Sequence, residues 1–161
     1  MTAADHDTAH VPLIAKGHGA GDVLEAWKWR VLEEGPGLLV VECDLPEQLK
    51  NPQGQLFGGF TPTYVDFVAI QTIHTLYPDA RNPEAPRNWM VTINMRCDYF
   101  EPIMGPTFRV KGEIINQRGL NSLVSTTFFT GPDDGGTHEI MAAYAITTLR
   151  MMPGITIPPP S

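Results

Sequence analysis

Residues 58–76, with the sequence GGFTPTYVDFVAIQTIHTL, decide which fold this chain can adopt. Pro62 fits an α-helix only in the first turn, so the pattern predicts a helix that begins near Gly58. Tyr77 before Pro78 ends it, which gives about 19 residues and a length of about 28 Å. The helix is apolar nearly all the way round, and such a helix is typical of the interior of a domain.

On both sides of this helix the sequence predicts β-strands. Before it, tryptophans and Val31 alternate with Lys28 and Arg30, and a Gly-Pro-Gly turn leads into a strand over 38–45. After it, strands are predicted at 89–100, 107–116, 121–130 and 138–150, and their short turn-rich links favour an antiparallel meander. In the first of these, alternation gives an apolar face that is expected to cover the helix: Trp89, Val91, Ile93, Met95, Cys97 and Tyr99. We therefore predict an α+β fold in which an antiparallel sheet of about five to six strands wraps around one long central helix.

Asp66 is the single formal charge among the 23 residues from Gln55 to Tyr77. A carboxylate inside an apolar helix is unfavourable unless it is paired or hydrogen-bonded. One interpretation is that Asp66 meets a partner from elsewhere in the chain or lies at an interface. The other is that it is a desolvated general base or nucleophile, so that a chemical role accounts for its unfavourable position.

The start of the helix is a second candidate feature. Gly58 and Gly59 occupy positions whose backbone amides have no acceptor within the helix, and such amides suit an anionic oxygen. A glycine pair at this place is equally consistent with close packing. Asn51 adds a polar amide in the preceding loop, where it also fits a turn, and His74 is interpreted as a buried histidine.

Composition limits the classes of function. The 161 residues fit one domain, expected at 22–152, with a flexible N-terminal arm at 1–21 and a flexible Pro-rich tail at 153–161. A net charge of −7 argues against nucleic-acid binding. Cys43 and Cys97 lie far apart, so we expect no metal site. We also expect neither a secretory signal nor a membrane-spanning segment, because the N-terminal region has no continuous apolar run and no stretch approaches 18 apolar residues. We expect a cytoplasmic protein.

The segment NPQGQLFGG at 51–59, followed by Asp66, resembles the hotdog-fold acyl-CoA thioesterases, in the branch similar to phenylacetyl-CoA thioesterase. That family has an Asn, a Gly three residues later, a His-Gly-Gly at the helix start and an Asp seven residues after the last glycine. The matching positions are Asn51, Gly54, Gly58, Gly59 and Asp66, whereas Phe57 replaces the histidine. The resemblance covers about Trp27 to Met151.

The resemblance implies an acyl-CoA thioesterase that needs no cofactor. The Gly58 amide would polarise the thioester carbonyl, and Asn51 would contact the thioester or water. Asp66 would act as general base or nucleophile, with Thr92 orienting it. The expected substrate-binding residues are Phe57 and Gly59 at the helix start, and Arg118 and Gly119 in a hairpin, where Arg118 meets the CoA phosphates.

The spacing of Gly58 and Asp66 has a consequence for assembly. Eight residues of helix separate them by about 12 Å, so one chain cannot bring both to one thioester. We expect a homodimer with shared active sites, and the resemblance implies that the dimer is often doubled to a tetramer. The alternatives left open are a non-catalytic acyl-CoA-binding module and a hotdog enoyl-CoA hydratase or dehydratase.

Overall fold

The chain folds into one curved antiparallel sheet with a single long helix on its inner face. The structure, a computed structural model, describes residues 12–77, 79, 82, 85–131 and 139–157. Two helices are present in this part of the chain, α1 (Ala20–Val23) and α2 (Thr61–His74). The strands are β1 (Arg30–Gly35), β2 (Leu38–Asp44), β3 (Arg87–Tyr99), β4 (Thr107–Arg118), β5 (Asn121–Thr130) and β6 (Ile140–Ile157).

The six strands lie in the order β1-β2-β4-β5-β6-β3, and every neighbouring pair is antiparallel. The predicted sheet around one helix is confirmed. The predicted four-strand meander is wrong in one respect, because β3 pairs with β6 at the edge and not with β4. A three-strand separation is about 14 Å, which the six residues 101–106 can span because extended chain covers about 20 Å.

Helix α2 begins as predicted and ends slightly earlier. A 3-10 turn over Gly58–Phe60 leads into Thr61–His74, with Pro62 in the first turn, and Thr75 caps the end. The inner side of the helix is fully buried against the sheet by Tyr64, Val65, Val68, Ala69 and Ile73. The helix therefore forms the centre of the core.

Helix and sheet approach each other most closely at Gly112 on β4. A Cβ at this position would lie 2.0 Å from Oγ1 of Thr72 and 3.0 Å from a methyl of Val68. A side chain here would force Thr72 or the helix itself to shift, so glycine is strongly favoured at this position.

An aromatic cluster fills the space around the first half of α2. Trp29 stacks on Tyr64 with the ring centroids 5.5 Å apart, and Phe108 meets the edge of Tyr64 at 5.2 Å. Trp29 precedes β1, because a 3-10 turn over Ala26–Lys28 replaces the first part of the predicted strand. Burial raises the pKa of the Tyr64 phenol, whose oxygen has no hydrogen-bond partner among the described residues.

Both ends of the described chain pack more closely than expected. Residues 12–21 were predicted to be a flexible arm, yet Leu13 and Ile14 are buried in the core because they cover an apolar patch of it. Residues 153–157 were predicted to be a flexible tail, yet β6 continues through them and Ile157 pairs with Arg87. The rest of the expected arm and tail, 1–11 and 158–161, lies outside the described residues. Neither helix in the described part of the chain is long and apolar enough to cross a membrane.

Candidate active site

Asp66 lies on a stripe of α2 that the sheet of its own chain covers only in part. Thr63, Asp66 and Ile70 follow one another at helical spacing and are all half-buried. One sheet can enclose only one side of a helix, so the expectation of a fully buried carboxylate is wrong for a single chain. No cation within the described ranges forms an ion pair with Asp66.

Thr92 on β3 is the hydrogen-bond partner of Asp66. Its hydroxyl donates to Oδ1 of the carboxylate across the gap between strand and helix. A donated hydrogen bond fixes the side-chain rotamer and leaves the second carboxylate oxygen for another group. The pair therefore presents an oriented carboxylate, which can accept a proton from water or attack a carbonyl.

A β-bulge in β3 is what turns Thr92 towards the helix. Thr92 lies opposite Leu149 and Asn94 lies opposite Thr148, so Ile93 is an extra residue in the strand. An extra residue inverts the alternation of faces. The predicted helix-facing set is therefore right after the bulge, where Met95 and Cys97 pack on the core, and wrong before it.

Before the bulge, the residues of even number face the helix. Met90 is buried there, whereas Trp89 and Ile93 are 43% and 56% exposed. The bulge could not be predicted from the sequence, because a single inserted residue in a strand has no characteristic composition.

The start of the helix presents free backbone amides, as the glycine pair predicted. Neither the Gly58 nor the Gly59 N–H donates to a described residue. The Gly58 carbonyl accepts a hydrogen bond from the Tyr99 hydroxyl at 2.9 Å, a contact that sequence reasoning missed because the two residues are 41 apart. Tyr99 at the end of β3 therefore fixes the first turn, and the two amides point away from the protein's own acceptors.

Phe57 covers the helix start. Its side chain is 55% exposed, and its ring lies so close to Gly59 that a Cβ there would be 2.7 Å away. The ring also meets the edge of Phe60, with the centroids 6.0 Å apart. The helix start is thus lined by an apolar surface beside free amides.

Asn51 organises the loop that leads to the helix. Its side-chain oxygen accepts hydrogen bonds from the backbone amides of Gln53 and Gln55, both at 3.0 Å. Its side-chain nitrogen donates to the Gln55 side chain at 3.2 Å, which leaves one amide hydrogen without a described partner. In this structure Asn51 is a turn residue, and only that hydrogen is available for a ligand.

His74 is buried at the end of α2, as interpreted from the sequence. Burial first, and then the positive charge of Arg87, lowers the pKa of His74 to about 4. The backbone of Asn88 lies beside the ring and favours its protonated form, but this effect is outweighed by the two effects that lower the pKa. The ring is therefore neutral at physiological pH, and it lies two turns of helix from Asp66.

The chain is similar to known proteins in its three-dimensional structure. No family model and no curated protein matches the sequence. Among solved structures, mouse thioesterase superfamily member 2 has 23% identity and a TM-score of 0.63, over 82% of this chain and 86% of that one. The PaaI protein of the phenylacetic acid degradation operon of E. coli has 12% identity and a TM-score of 0.66, over 86% and 87%. The chain has the hotdog fold.

A third hotdog structure was solved with a ligand. A hypothetical thioesterase of Streptococcus pneumoniae in complex with coenzyme A has 16% identity and a TM-score of 0.60, over 83% of this chain and 88% of that one. Identities this low show the shared fold, and the chemistry of this chain must be argued from its own residues.

Within one chain the predicted site residues form three separate groups. Asp66 and Thr92 form the first, and the helix start with the 51–59 loop forms the second, about 12 Å away along the helix axis. The third is the β4–β5 hairpin with Arg118 and Gly119. It lies beyond the C-terminal end of α2, because β4 contacts Thr72 at Gly112 and the Ile73 cluster at Ile114 before it reaches the hairpin.

Proposed function

We propose that this protein hydrolyses the thioester of an acyl-CoA to the free acid and CoA. The observation that carries the proposal is the hydrogen bond from Thr92 to Asp66, on a helix face that its own sheet leaves partly open. An oriented carboxylate beside an unfilled surface supplies the general base or nucleophile that thioester hydrolysis needs. The hotdog fold, shared with proteins described as thioesterases, agrees with this chemistry.

The electrophilic half of the site would come from the helix start. The free Gly58 amide, at the positive end of the helix dipole, would donate to the carbonyl oxygen as it becomes an oxyanion. Asn51 would use its remaining amide hydrogen on the thioester or on water. Phe57 and Gly59 would contact the acyl-thioester, and Arg118 and Gly119 would bind the CoA portion. Hydrolysis by these groups requires no metal and no redox cofactor.

The two halves meet only if two chains combine. The Gly58 amide and the Asp66 carboxylate of one chain are about 12 Å apart along the axis, too far to act on one thioester. Two antiparallel copies of α2 about a twofold axis would bring the Gly58 of each chain to the Asp66 of the other. We therefore propose a homodimer with two shared sites. A tetramer would contain two such dimers.

Two surfaces of the single chain favour such a dimer. The first is the half-buried stripe of α2 that includes Thr63, Asp66 and Ile70. The second is the long edge strand β3, whose Trp89 and Ile93 are exposed at an edge with unpaired backbone groups. Exposed apolar edge strands are normally covered in native proteins, and a second copy would cover both surfaces.

Release of free thiol from a panel of acyl-CoAs tests the proposal. The panel contains short, medium, long and aromatic acyl chains, and the control is an Asp66→Asn preparation purified identically. We expect turnover of at least one member by the wild type and a strong loss in the variant. Binding without turnover would instead indicate an acyl-CoA-binding module, and water addition to an enoyl-CoA would indicate a hydratase.

A further inference from the structure

The peptide group between Gly58 and Gly59 carries one of the two free amides at the helix start. Neither the Gly58 N–H nor the Gly59 N–H donates to a described residue. In a trans peptide the carbonyl and the N–H lie in one plane and point in opposite directions, so the direction of the Gly58 carbonyl determines that of the Gly59 N–H. The groups that hold the Gly58 carbonyl therefore aim the Gly59 amide.

Two donors hold this carbonyl. The backbone N–H of Thr61 donates to it from the next turn, and the hydroxyl of Tyr99 donates to it at 2.9 Å from the end of β3. The buried hydroxyl of Thr61 forms a hydrogen bond with the same phenol oxygen. The Tyr99 ring also lies against the turn, because a Cβ on Gly58 would be 3.7 Å from it. The phenol is thus held in place with its proton directed at the Gly58 carbonyl.

Glycine at position 59 allows this peptide to rotate. Residues 57–60 form a turn that is closed by a hydrogen bond from the Phe60 N–H to the Phe57 carbonyl at 2.9 Å, and neither glycine within it has a positive φ. This is the type I form. In the type II form of the same turn the middle peptide is rotated by about 180° and the third residue has a positive φ, which glycine adopts readily. The closing hydrogen bond is present in both forms, so it does not select between them.

Rotation of the Gly58–Gly59 peptide would reverse the polarity of the helix start. The Gly59 N–H would turn away, and the Gly58 carbonyl would present a partial negative charge in its place. The Gly58 N–H would keep its direction, because it belongs to the preceding peptide, whose carbonyl is held by Phe60. The rotated form would lose the hydrogen bond from Tyr99, so the phenol favours the observed form.

We propose that Tyr99 is a positioning residue whose hydroxyl keeps the Gly59 amide directed at the developing oxyanion, as a second donor beside the Gly58 amide. This rests on the proposed thioesterase function, and Tyr99 itself makes no contact with the reacting atoms. A carbonyl that accepts hydrogen bonds also makes the N–H of its own peptide a stronger donor. Two preorganised amides stabilise an oxyanion more than one amide does.

Strand β3 then orients both groups that its chain contributes to catalysis. Thr92 holds Asp66 near the middle of the strand, and Tyr99 holds the helix start at its end. In the proposed dimer these two groups belong to different active sites, so each β3 strand serves both sites.

Tyr99→Phe tests the proposal, because it removes the hydroxyl and keeps the ring. For an acyl-CoA that the wild type hydrolyses, kcat should fall by about 5- to 10-fold, the effect of losing one hydrogen bond that selects between two forms. KM should change little, because the ground-state carbonyl needs the second donor less than the oxyanion does. Stability to urea should stay that of the wild type.

Tyr144→Phe is the matched control. Tyr144 lies on β6 between Ala143 and Ala145, which are both buried in the core, so its own side chain points away from the helix. This variant also loses one phenol hydroxyl, and it should have wild-type kinetics.

A second measurement reports on the peptide directly and needs no substrate. Nuclear magnetic resonance of protein with isotope-labelled glycine follows the Gly58 and Gly59 amides in the wild type and in both variants. In Tyr99→Phe the Gly59 resonance should shift or split into two, because its peptide samples both orientations. The resonance of Gly119, in the distant β4–β5 hairpin, should stay unchanged.

Two results would overturn the proposal. One is a wild-type kcat in Tyr99→Phe. The other is a fall in kcat with an unchanged Gly59 resonance, which would mean that Tyr99 acts on the substrate directly. If the wild type hydrolyses no thioester, the proposed function fails, and the Gly59 resonance then decides by itself whether Tyr99 holds the peptide.

Discussion

Asp66 combines two properties that single residues in apolar helices seldom combine. It is the only formal charge between Gln55 and Tyr77, and its one described partner is a neutral hydroxyl. A structural carboxylate that the proposed dimer buries would normally be paired with a cation, because a lone hydroxyl compensates little of the cost of desolvation. The absence of a described cation therefore favours a chemical role over a purely structural one.

Substitution of Asp66 by Asn should abolish most of the turnover and leave the fold intact. The amide still accepts a hydrogen bond from Thr92 but cannot take up a proton or attack a carbonyl. We expect kcat to fall by about 10²–10⁴-fold, with a change in unfolding free energy of less than about 1 kcal/mol. Steady-state kinetics and urea unfolding measure both quantities.

Glu33→Gln is the control, since it removes an exposed carboxylate from β1 at the opposite edge of the sheet from β3. It should have wild-type kinetics. Near-normal kcat in Asp66→Asn would contradict the proposed mechanism, and a loss of several kcal/mol in stability would assign Asp66 a structural role.

We expect Thr92 to position Asp66 and not to react itself. Two substitutions should separate the effect of its hydroxyl from the effect of its side-chain shape. Thr92→Val keeps the branched side chain and removes the donor, and kcat should fall by about 10-fold or more because a hydrogen bond to a charged group is lost. Thr92→Ser keeps the donor and should retain most of the activity. KM should change little in either variant. Wild-type kcat in Thr92→Val would show that the hydrogen bond does not position Asp66.

At the scale of elements, the contact between α2 and β4 sets how closely the helix approaches the sheet. Gly112→Ala should reduce the free energy of unfolding by about 1–3 kcal/mol, because the new Cβ overlaps Oγ1 of Thr72. The control Gly35→Ala places its Cβ in open space and should change stability by less than about 1 kcal/mol.

A double substitution tests whether Thr72 is the cause. In Gly112→Ala with Thr72→Ala, the overlapping oxygen is gone, so the combined loss measured by chemical denaturation should be smaller than the sum of the two single losses. Strict additivity would mean that strain at Gly112 arises elsewhere.

His74 at the end of α2 should make stability depend on pH. Its pKa is about 4 in the folded chain against an ordinary value of 6.5, so the unfolded state binds a proton first as the pH falls. Stability from this group is complete above about pH 6.5 and is lost as the pH falls towards 4.

Comparison of the wild type with His74→Leu isolates this effect. Between about pH 7.5 and pH 5, the wild type should lose about 2 kcal/mol more unfolding free energy than the variant. Between pH 7.5 and 8.5 the two should change in parallel, since the histidine is neutral in both states. Parallel loss down to pH 5 would show that the His74 ring is protonated without cost in the folded protein.

Local sequence signals predicted where the helix and strands lie along the chain better than they predicted which of these elements lie next to each other in the fold. The apolar run and Pro62 located the start of α2, because both act through the backbone of the helix itself. The position of β3 beside β6 was not predictable from short links, because link length does not determine which edge a strand joins. The burial of Leu13 and Ile14 was missed because two apolar residues in a polar segment form no period.

The candidate site was likewise predicted from local sequence, and its contacts between distant residues were not. The motif from Asn51 to Asp66 lies in one continuous segment, so its spacing could be read from the sequence. The orientation of Thr92 depends on the extra residue Ile93, and the contact of Tyr99 with Gly58 depends on where β3 ends. These are properties of the tertiary structure. The catalytic roles of all these residues stay predictions.

At the scale of the whole molecule, the shared-site dimer predicts that two inactive variants can restore each other. Asn51→Ala damages the half-site at the helix start, because it removes the side chain that holds the 51–55 loop. Asp66→Asn damages the other half-site. A mixed dimer then has one site with both defects and one site with neither, by the symmetry of a twofold pair.

Mixing equal amounts of these two variants under conditions of subunit exchange should therefore restore activity. Random pairing makes about half of the dimers mixed, and each has one intact site of two, so about a quarter of the wild-type activity should return. Thr92→Val mixed with Asp66→Asn is the matched control. Thr92 and Asp66 belong to the same half-site of the same chain, so every site in that mixture has one defect and no activity above the average of the two variants should appear. Exchange is verified with chains of different mass. If the subunits exchange and the first mixture stays inactive, Asp66 must act within its own chain, and the proposed partnership with the partner's helix start is wrong.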